Sequence, residues 1–394
     1  MKVFSGRYIV SKFWLRLSAI ALLCFAIPSL GVAQESEWID FSEETFSRLI
    51  FDNKDTAEKK IAVGDIDNDG DDDVVIARRK TLMSRDASAQ NMLLINDEGK
   101  LYNHTEILAP GFLKPDNSRD VALLDVNNDE WLDVIVVASG QQPRLFINRG
   151  QGVMIDDESE ELRFSWLGLE ERTEWYLPEF EVGPKFHSVA VGDVTGDGFV
   201  DLYFVDSNNT LEDRLLINDG AGRFVDETDK RLTRQMSESH FGTSAIIADW
   251  NKDGVNDILK VTTIDKPQAI RLLINNADNT GYFESFQDLP YDETYVVEAA
   301  DFNNDNRLDL YVVSDGRDYI IWNKSTNEDG TINVSATNIS SIRTDGFGGH
   351  AHAFDIDGDG FRDIGVCDVD MGIDGLECRT TFLRNRKGKS FSDT

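Results

Sequence analysis

Residues 64–73 read GDIDNDGDDD, six aspartates in ten positions with Gly70 among them. Two like charges about 4 Å apart repel by roughly 1 kcal/mol in water and about 4 kcal/mol at the effective dielectric of a protein surface. A chain that folds with such a cluster must repay that cost. Side-chain oxygens at positions 1, 3, 5 and 9, a turn residue at 6 and a main-chain carbonyl at 7 can wrap an oxygen-lined loop around a hard divalent ion. Calcium accepts that number and flexibility of ligands, whereas magnesium prefers fewer protein oxygens and more retained water.

The cluster is not solitary. It recurs as LDVNNDEWLD, GDVTGDGFVD, ADWNKDGVND, ADFNNDNRLD and FDIDGDGFRD, with the first Asp of the six copies at 65, 125, 193, 249, 301 and 355. The candidate ligands of the first loop are Asp65, Asp67, Asp69, the carbonyl of Asp71 and Asp73, and those of the second are Asp125, Asn127, Asp129, the carbonyl of Trp131 and Asp133. The third offers Asp193, Thr195, Asp197, the carbonyl of Phe199 and Asp201; the fourth, Asp249, Asn251, Asp253, the carbonyl of Val255 and Asp257. The fifth has Asp301, Asn303, Asp305, the carbonyl of Arg307 and Asp309; the sixth, Asp355, Asp357, Asp359, the carbonyl of Phe361 and Asp363. Up to six Ca²⁺ are expected, one per loop; Asn or Thr at position 3 keeps an oxygen and loses a charge, so the four middle loops are expected to bind more weakly than the outer two. Gly70, Gly198, Gly254 and Gly360 fill the turn where positive φ is needed, and Asn306 tolerates it. Glu130 does not, at a cost of roughly 1 to 2 kcal/mol, which makes loop two the one expected to be distorted or empty.

Other chemistry fits the spacing less well. An EF-hand needs a bidentate Glu at position 12, and here that position is Ile76, Val136, Phe204, Lys260, Val312 and Val366. A catalytic carboxylate pair is needed once, at one cleft, and not on every repeat. An Asp/Asn/Gly turn that binds nothing stays open as the alternative.

What must position these loops is a set of strands. Short apolar runs such as IAV and VAV precede each copy, and β-branched or aromatic runs such as VVIA and LYFV follow. A third run ends in asparagine each time, at 96, 148, 218, 275, 323 and 385, and leads into a weaker fourth run. Four strands per 52 to 68 residues make a propeller blade, so the expected fold is all-β, a propeller of six four-stranded blades. A seventh blade would require a degenerate repeat. Near the ends, WIDFSEET and SFSDT both resemble a fourth strand, and only one can fill that place in a closed ring.

Residues 1–33 stand apart from this domain, which spans 34–394. Lys2, Arg7, Lys12 and Arg16 precede an apolar run from Leu17 to Ile27, then Pro28 and SLGVA, the pattern of a secretory signal peptide cleaved after Ala33. Export to a secreted or periplasmic location is expected, with no integral membrane segment. Without those residues the chain has 35 basic against 72 acidic side chains, a net charge of −37. Such a surface repels nucleic acid and anionic lipid. Cys367 and Cys378 remain for an oxidising compartment; a bridge and two separate thiols are both open.

The pattern vavgDvdgDGxxDlvv followed by lLiNdGxGxFxdxT resembles FG-GAP/VCBS repeats, found in the propeller of integrin alpha subunits and in many bacterial exported proteins. HSVAVGDVTGDGFVDLYFV with RLLINDGAGRFVDET carries the resemblance most fully. It extends over essentially all of the exported part and implies a calcium-binding propeller, with the loop aspartates as ligands. The first blade lacks obvious FG and GAP residues, so the bacterial VCBS branch is the better comparison.

The partner surface is read from what does not repeat. Six residues before each first Asp stand Lys59, Arg119, His187, Thr243, Tyr295 and Gly349, with His350, His352 and His240 nearby. These belong to the inner strands and could form a polar cluster at one mouth of the central channel, able to hold an anionic or sugar ligand. Ordinary hydrogen bonding at strand ends is the alternative. An insertion in the second repeat carries Trp166, Trp175 and Tyr176, suited to sugar stacking, to protein contact or to packing on its own blade. The leading expectation is a recognition or adhesion module for a protein or glycan, without catalytic residues. A carbohydrate-active enzyme resembling propeller polysaccharide lyases, or a purely structural module, are the other classes.

Overall fold

In the computed structural model the described residues are 48–50, 58–79, 88–155, 162–180, 184–208, 212–262, 270–278, 280–291, 294–314, 318–339, 347–369 and 380–393. They form six antiparallel sheets of four strands each, one per repeat, arranged as a β-propeller. The third blade shows the plan: the inner strand Phe186–Gly192 pairs with Asp201–Asp206, which pairs with Arg214–Asn218 and then Phe224–Asp226. The acidic loop joins the first two strands, with Gly192 opposite Asp201.

Sequence periodicity explains how the blades stack. Every residue of Asp201–Asp206 is buried, because alternate side chains of this second strand serve two different cores. Leu202 and Phe204 pack with Leu124, Ile135 and Val137 of the second blade, whereas Tyr203 and Val205 pack with Ala245, Ile258 and Leu273 of the fourth. Each such side chain contributes about 1.5 to 3 kcal/mol of burial. Similar shared cores join the first blade to the second, the fourth to the fifth and the fifth to the sixth.

The insertion in the second repeat folds as a hairpin, Gln151–Ile155 against Leu162–Trp166, between the third strand Arg144–Asn148 and the outer strand Leu169–Glu171. Trp166 packs on its own blade and donates its indole N–H to Asn148 Oδ1 at 2.7 Å. Tyr176 lies against the core between the second and third blades, and Trp175 is 63% exposed. The strand ends need no exchange between blades. Phe391–Asp393, within SFSDT, is the outer strand of the sixth blade, and Lys100–Asn103 is that of the first. Leu49–Ile50 adds to the latter as a parallel fifth strand. WIDFSEET, the leader 1–33 and Cys378 lie outside the described residues. No helix among the described residues is long and apolar enough to cross a membrane.

Candidate functional site: acidic loops and channel mouth

Each acidic loop is built by its own first and last aspartates. In the first, Asp65 Oδ1 accepts the N–H of Asp69 at 3.0 Å, and Oδ2 accepts that of Gly70 at 3.0 Å. Asp69 Oδ1 accepts from the N–H of Asp71 at 2.9 Å. The same contacts recur in loop two, where the Glu130 N–H reaches Asp125 Oδ2 at 2.8 Å and the Trp131 N–H reaches Asp129 Oδ1 at 3.0 Å. Loop two therefore follows the same path as its neighbours, with Glu130 forced to φ +70° beside Gly70 at +98° and Gly198 at +87°. We expect Glu130→Gly to raise stability by about 0.5 to 1 kcal/mol, relief of the left-handed strain exceeding the added chain entropy. A rise in the urea midpoint at unchanged slope is the check.

Position 9 does a job beyond ligation. Asp73, fully buried, accepts the Ile66 N–H at 3.0 Å on one oxygen and the Asn96 N–H at 2.8 Å on the other, tying loop to third strand. Burial pushes its carboxyl up to about 8 despite those bonds. Desolvation likewise raises Asp133, Asp257, Asp309 and Asp363 to about 7 and Asp201 to about 6.

Among the described residues, two groups of three carboxylates could hold a metal ion, their oxygens within 4.8 Å of one another: Asp65, Asp67 and Asp73, and Asp355, Asp357 and Asp363. These are the loops with Asp at position 3. In loops two and four the position 3 amide donates to the position 5 carboxylate, Asn127 to Asp129 at 2.9 Å and Asn251 to Asp253 at 3.0 Å. In loop three the Thr195 hydroxyl meets Asp193 Oδ1 at 3.3 Å.

The two outer sites are not equivalent. Asp67 Oδ1 is buried without a hydrogen bond, and its carboxyl is pushed up to about 6 by burial and by the charges of Asp69 and Asp65. A dication fits that orphaned oxygen. At the sixth loop Asp357 Oδ2 is likewise buried without a hydrogen bond, but Arg384 Nη2 stands 2.6 Å from it as an ion pair, which the sequence reading missed.

The second site lies at the other end of the inner strands. Six residues separate His187 from Asp193, about 20 Å of strand, so the start of each inner strand opens on the face opposite the acidic loops. There the predicted residues are brought together, though through different positions than expected. Strand register shifts at Arg119, His187, Tyr295 and Gly349, and a bulge of this kind re-aims side chains. The linking groups in blades two and six, Asp120 and His350, are thus one residue later; Lys60 of blade one is also one residue later, on a strand of unbroken register.

Lys60 Nζ lies 3.5 Å from His350 Nδ1 and 3.6 Å from Asp120 Oδ1. Asp120 Oδ2 accepts the Ser188 hydroxyl at 2.8 Å and the Val189 N–H at 3.1 Å. His187 Nδ1 meets the Thr243 carbonyl at 2.8 Å, and the Thr243 hydroxyl donates to the Tyr295 carbonyl. Glu298 Oε1 accepts the Ala353 N–H at 3.1 Å, with His352 Nδ1 3.8 Å away. These contacts make a polar belt that crosses all six blade junctions. Lys60, Asp120, Ser188 and Glu298 were not singled out from sequence; His240 instead faces Glu238 at 3.8 Å. Of Lys59 only the strand position is described, and Gly349 brings no side chain.

The electrostatics of the mouth oppose those of the loops. Burial, then the charge of Arg119, holds His187 down at about 4, with Arg79 adding and Asp120 opposing. Burial and Lys60 lower His350 and hold His352 at about 4, although the latter side chain is 50% exposed. Burial raises Glu298 to about 7. A neutral His187 whose folded value lies below the usual 6.5 contributes stability that is complete above that pH and is lost as pH falls toward 4. We expect wild type to lose stability relative to His187→Asn across that window, Asn keeping a donor to Thr243 without titrating. Paired urea titrations at stepped pH measure it.

The FG-GAP-like repeat family matches residues 65–136, 125–204, 193–259 and 301–366, more than half of the chain. The chain belongs to the FG-GAP-like repeat family. The four matched segments each run from the first Asp of one acidic loop through the following one or into the next second strand, so the family signature is this loop with its flanking strands. No curated protein matches the chain. A solved structure described as the basis of specific recognition of non-reducing terminal N-acetylglucosamine by an Agrocybe aegerita lectin is similar in fold. It has a TM-score of 0.53 at 16% identity, over 86% of this chain and 79% of that one.

Proposed function

We propose that this FG-GAP-like propeller is an exported glycan-recognition module, its calcium structural and its ligand held at the channel mouth. The observation that carries the reading is a division of labour. The residues that repeat, the acidic loops, sit on one face and fold the blade. Those that do not repeat, Lys60, Asp120, His187, Tyr295 and His350, converge on the other. Recognition needs the second kind of group, because a specific ligand breaks sixfold equivalence. The lectin of similar fold supports the same reading, and the leader 1–33 supports export.

Asp65, Asp67 and Asp73 would hold calcium, whose charge would offset their mutual repulsion. At about 20 Å from the mouth it does not touch the ligand, so it acts on recognition through stability alone. The test is a glycan array probed with calcium and with EDTA at a temperature where both forms stay folded. Equal binding in both supports the reading. Turnover of an acidic polysaccharide would make the channel catalytic, and neither binding nor turnover would leave an assembly module.

A further inference from the structure

Just ahead of the inner strand Ser244–Ala248, residues 239–243 read SHFGT. The Gly242 N–H donates to the Asp206 carbonyl at 3.0 Å, and the Ser239 hydroxyl donates to the same carbonyl. The segment is therefore pinned to the end of the third blade's second strand. The contact is tight: a Cβ on Gly242 would stand 2.2 Å from Val205 Cγ1.

Between these anchors Phe241 is held at φ +58°. For a bulky side chain that conformation is strained, because Cβ crowds the following carbonyl oxygen. Nothing in the core repays it, since Phe241 is 40% exposed. Two residues on, Thr243 meets His187 and Tyr295, so Phe241 stands at the rim of the mouth. Lys60 is part of the same belt, and the charges of Arg79 and Arg119 reach His187. In a chain of formal net charge −33, three cations thus gather at this mouth, against the Asp120 carboxylate 3.6 Å from Lys60.

We propose that Phe241 is a stacking platform for one ring of an acidic oligosaccharide, whose carboxylate is drawn over the mouth by Lys60, Arg79 and Arg119. The proposal rests on the glycan reading above and narrows it to uronic-acid sugars. An exposed aromatic face offers a sugar ring an apolar contact, and backbone strain in a fold that could have used glycine there is a mark of function.

The strain supplies a test that separates binding from folding. Phe241→Gly should leave the melting temperature unchanged or higher, because glycine adopts the left-handed conformation freely. It should weaken tetragalacturonate at least tenfold by isothermal titration. Phe241→Tyr should bind within threefold of wild type, and Lys60→Met should weaken tetragalacturonate. Wild-type affinity in Phe241→Gly would overturn the platform. A wild-type preference for neutral chitotetraose over tetragalacturonate would overturn the acidic specificity and leave the glycan reading standing. Failure of wild type to bind any glycan on the array would remove both.

Discussion

Stripping calcium is expected to lower the melting temperature by about 5 to 10 °C, most of it from the first loop. A site held at about 100 times its dissociation constant adds about 2.7 kcal/mol, and in a domain of this size each kcal/mol shifts the midpoint by about 2 to 4 °C. The first loop dominates because Asp67, unlike Asp357, has no ion pair among the described residues. Asp67 Oδ1 and Asp357 Oδ2 both lack a hydrogen bond, but the latter has the Arg384 guanidinium 2.6 Å away. Asp67→Asn makes the argument specific. It keeps an oxygen for the ion and removes the buried charge, so the metal-free variant should melt higher than metal-free wild type. In saturating calcium the order should reverse, because the variant binds the ion about tenfold more weakly. Asp357→Asn should give no such crossing, since it strands Arg384 in both states. Calorimetric scans of the three proteins with calcium and with EDTA decide the matter, and superimposable wild-type scans would remove calcium from the account.

Much of this arrangement is legible in the sequence, because a repeated loop has to solve the same problem six times. The two-residue alternation in LYFV or VIVVA gives the strands, the spacing of the first aspartates gives the blades, and Gly70, Gly198, Gly254 and Gly360 mark one left-handed turn position. A second such position, fourth in the loop, is equally regular in structure: Asn68, Asn128, Gly196, Lys252, Asn304 and Gly358 all have positive φ. Five of these are Asn or Gly and carry the signal, which the stronger glycine pattern two residues later hides; Lys252 carries none. The belt at the channel mouth is harder to read. In the second and sixth blades it depends on a bulge, and an extra residue in one strand leaves no mark in composition or periodicity. Position six before the loop therefore marks the right region and misses Asp120 by one residue; Lys60 is missed by one residue on a strand of unbroken register. The Arg384 to Asp357 pair joins the acidic loop to the third strand Thr380–Asn385, and nothing local in the chain announces it.

The asparagines that end each third strand recur plainly, yet their role lies between blades, and their replacement should be the costliest single change outside the cores. Asn218 Nδ2 donates to the carbonyl of Val126 in the preceding blade at 2.9 Å and to that of Val200 at 3.2 Å. Its Oδ1 accepts the N–H groups of Gly220 at 3.0 Å and Gly222 at 3.1 Å. Asn148, Asn275, Asn323 and Asn385 likewise reach Ile66, Val194, Trp250 and Phe302, each across a junction. Asn218→Ala leaves several polar groups in this buried setting without partners, and each such group costs about 1 to 3 kcal/mol. Partial entry of water holds the expected total to about 3 to 4 kcal/mol, a fall of about 10 °C. Asn96 is the comparison that isolates the junction. Its amide donates to Asp72 within its own blade at 3.1 Å and accepts from Gly99 at 2.9 Å. With half the bonds, Asn96→Ala should cost about half as much. Equal losses in the two variants, read from urea midpoints at constant slope, would mean that these side chains brace their own turns and that shared apolar cores alone hold blade to blade.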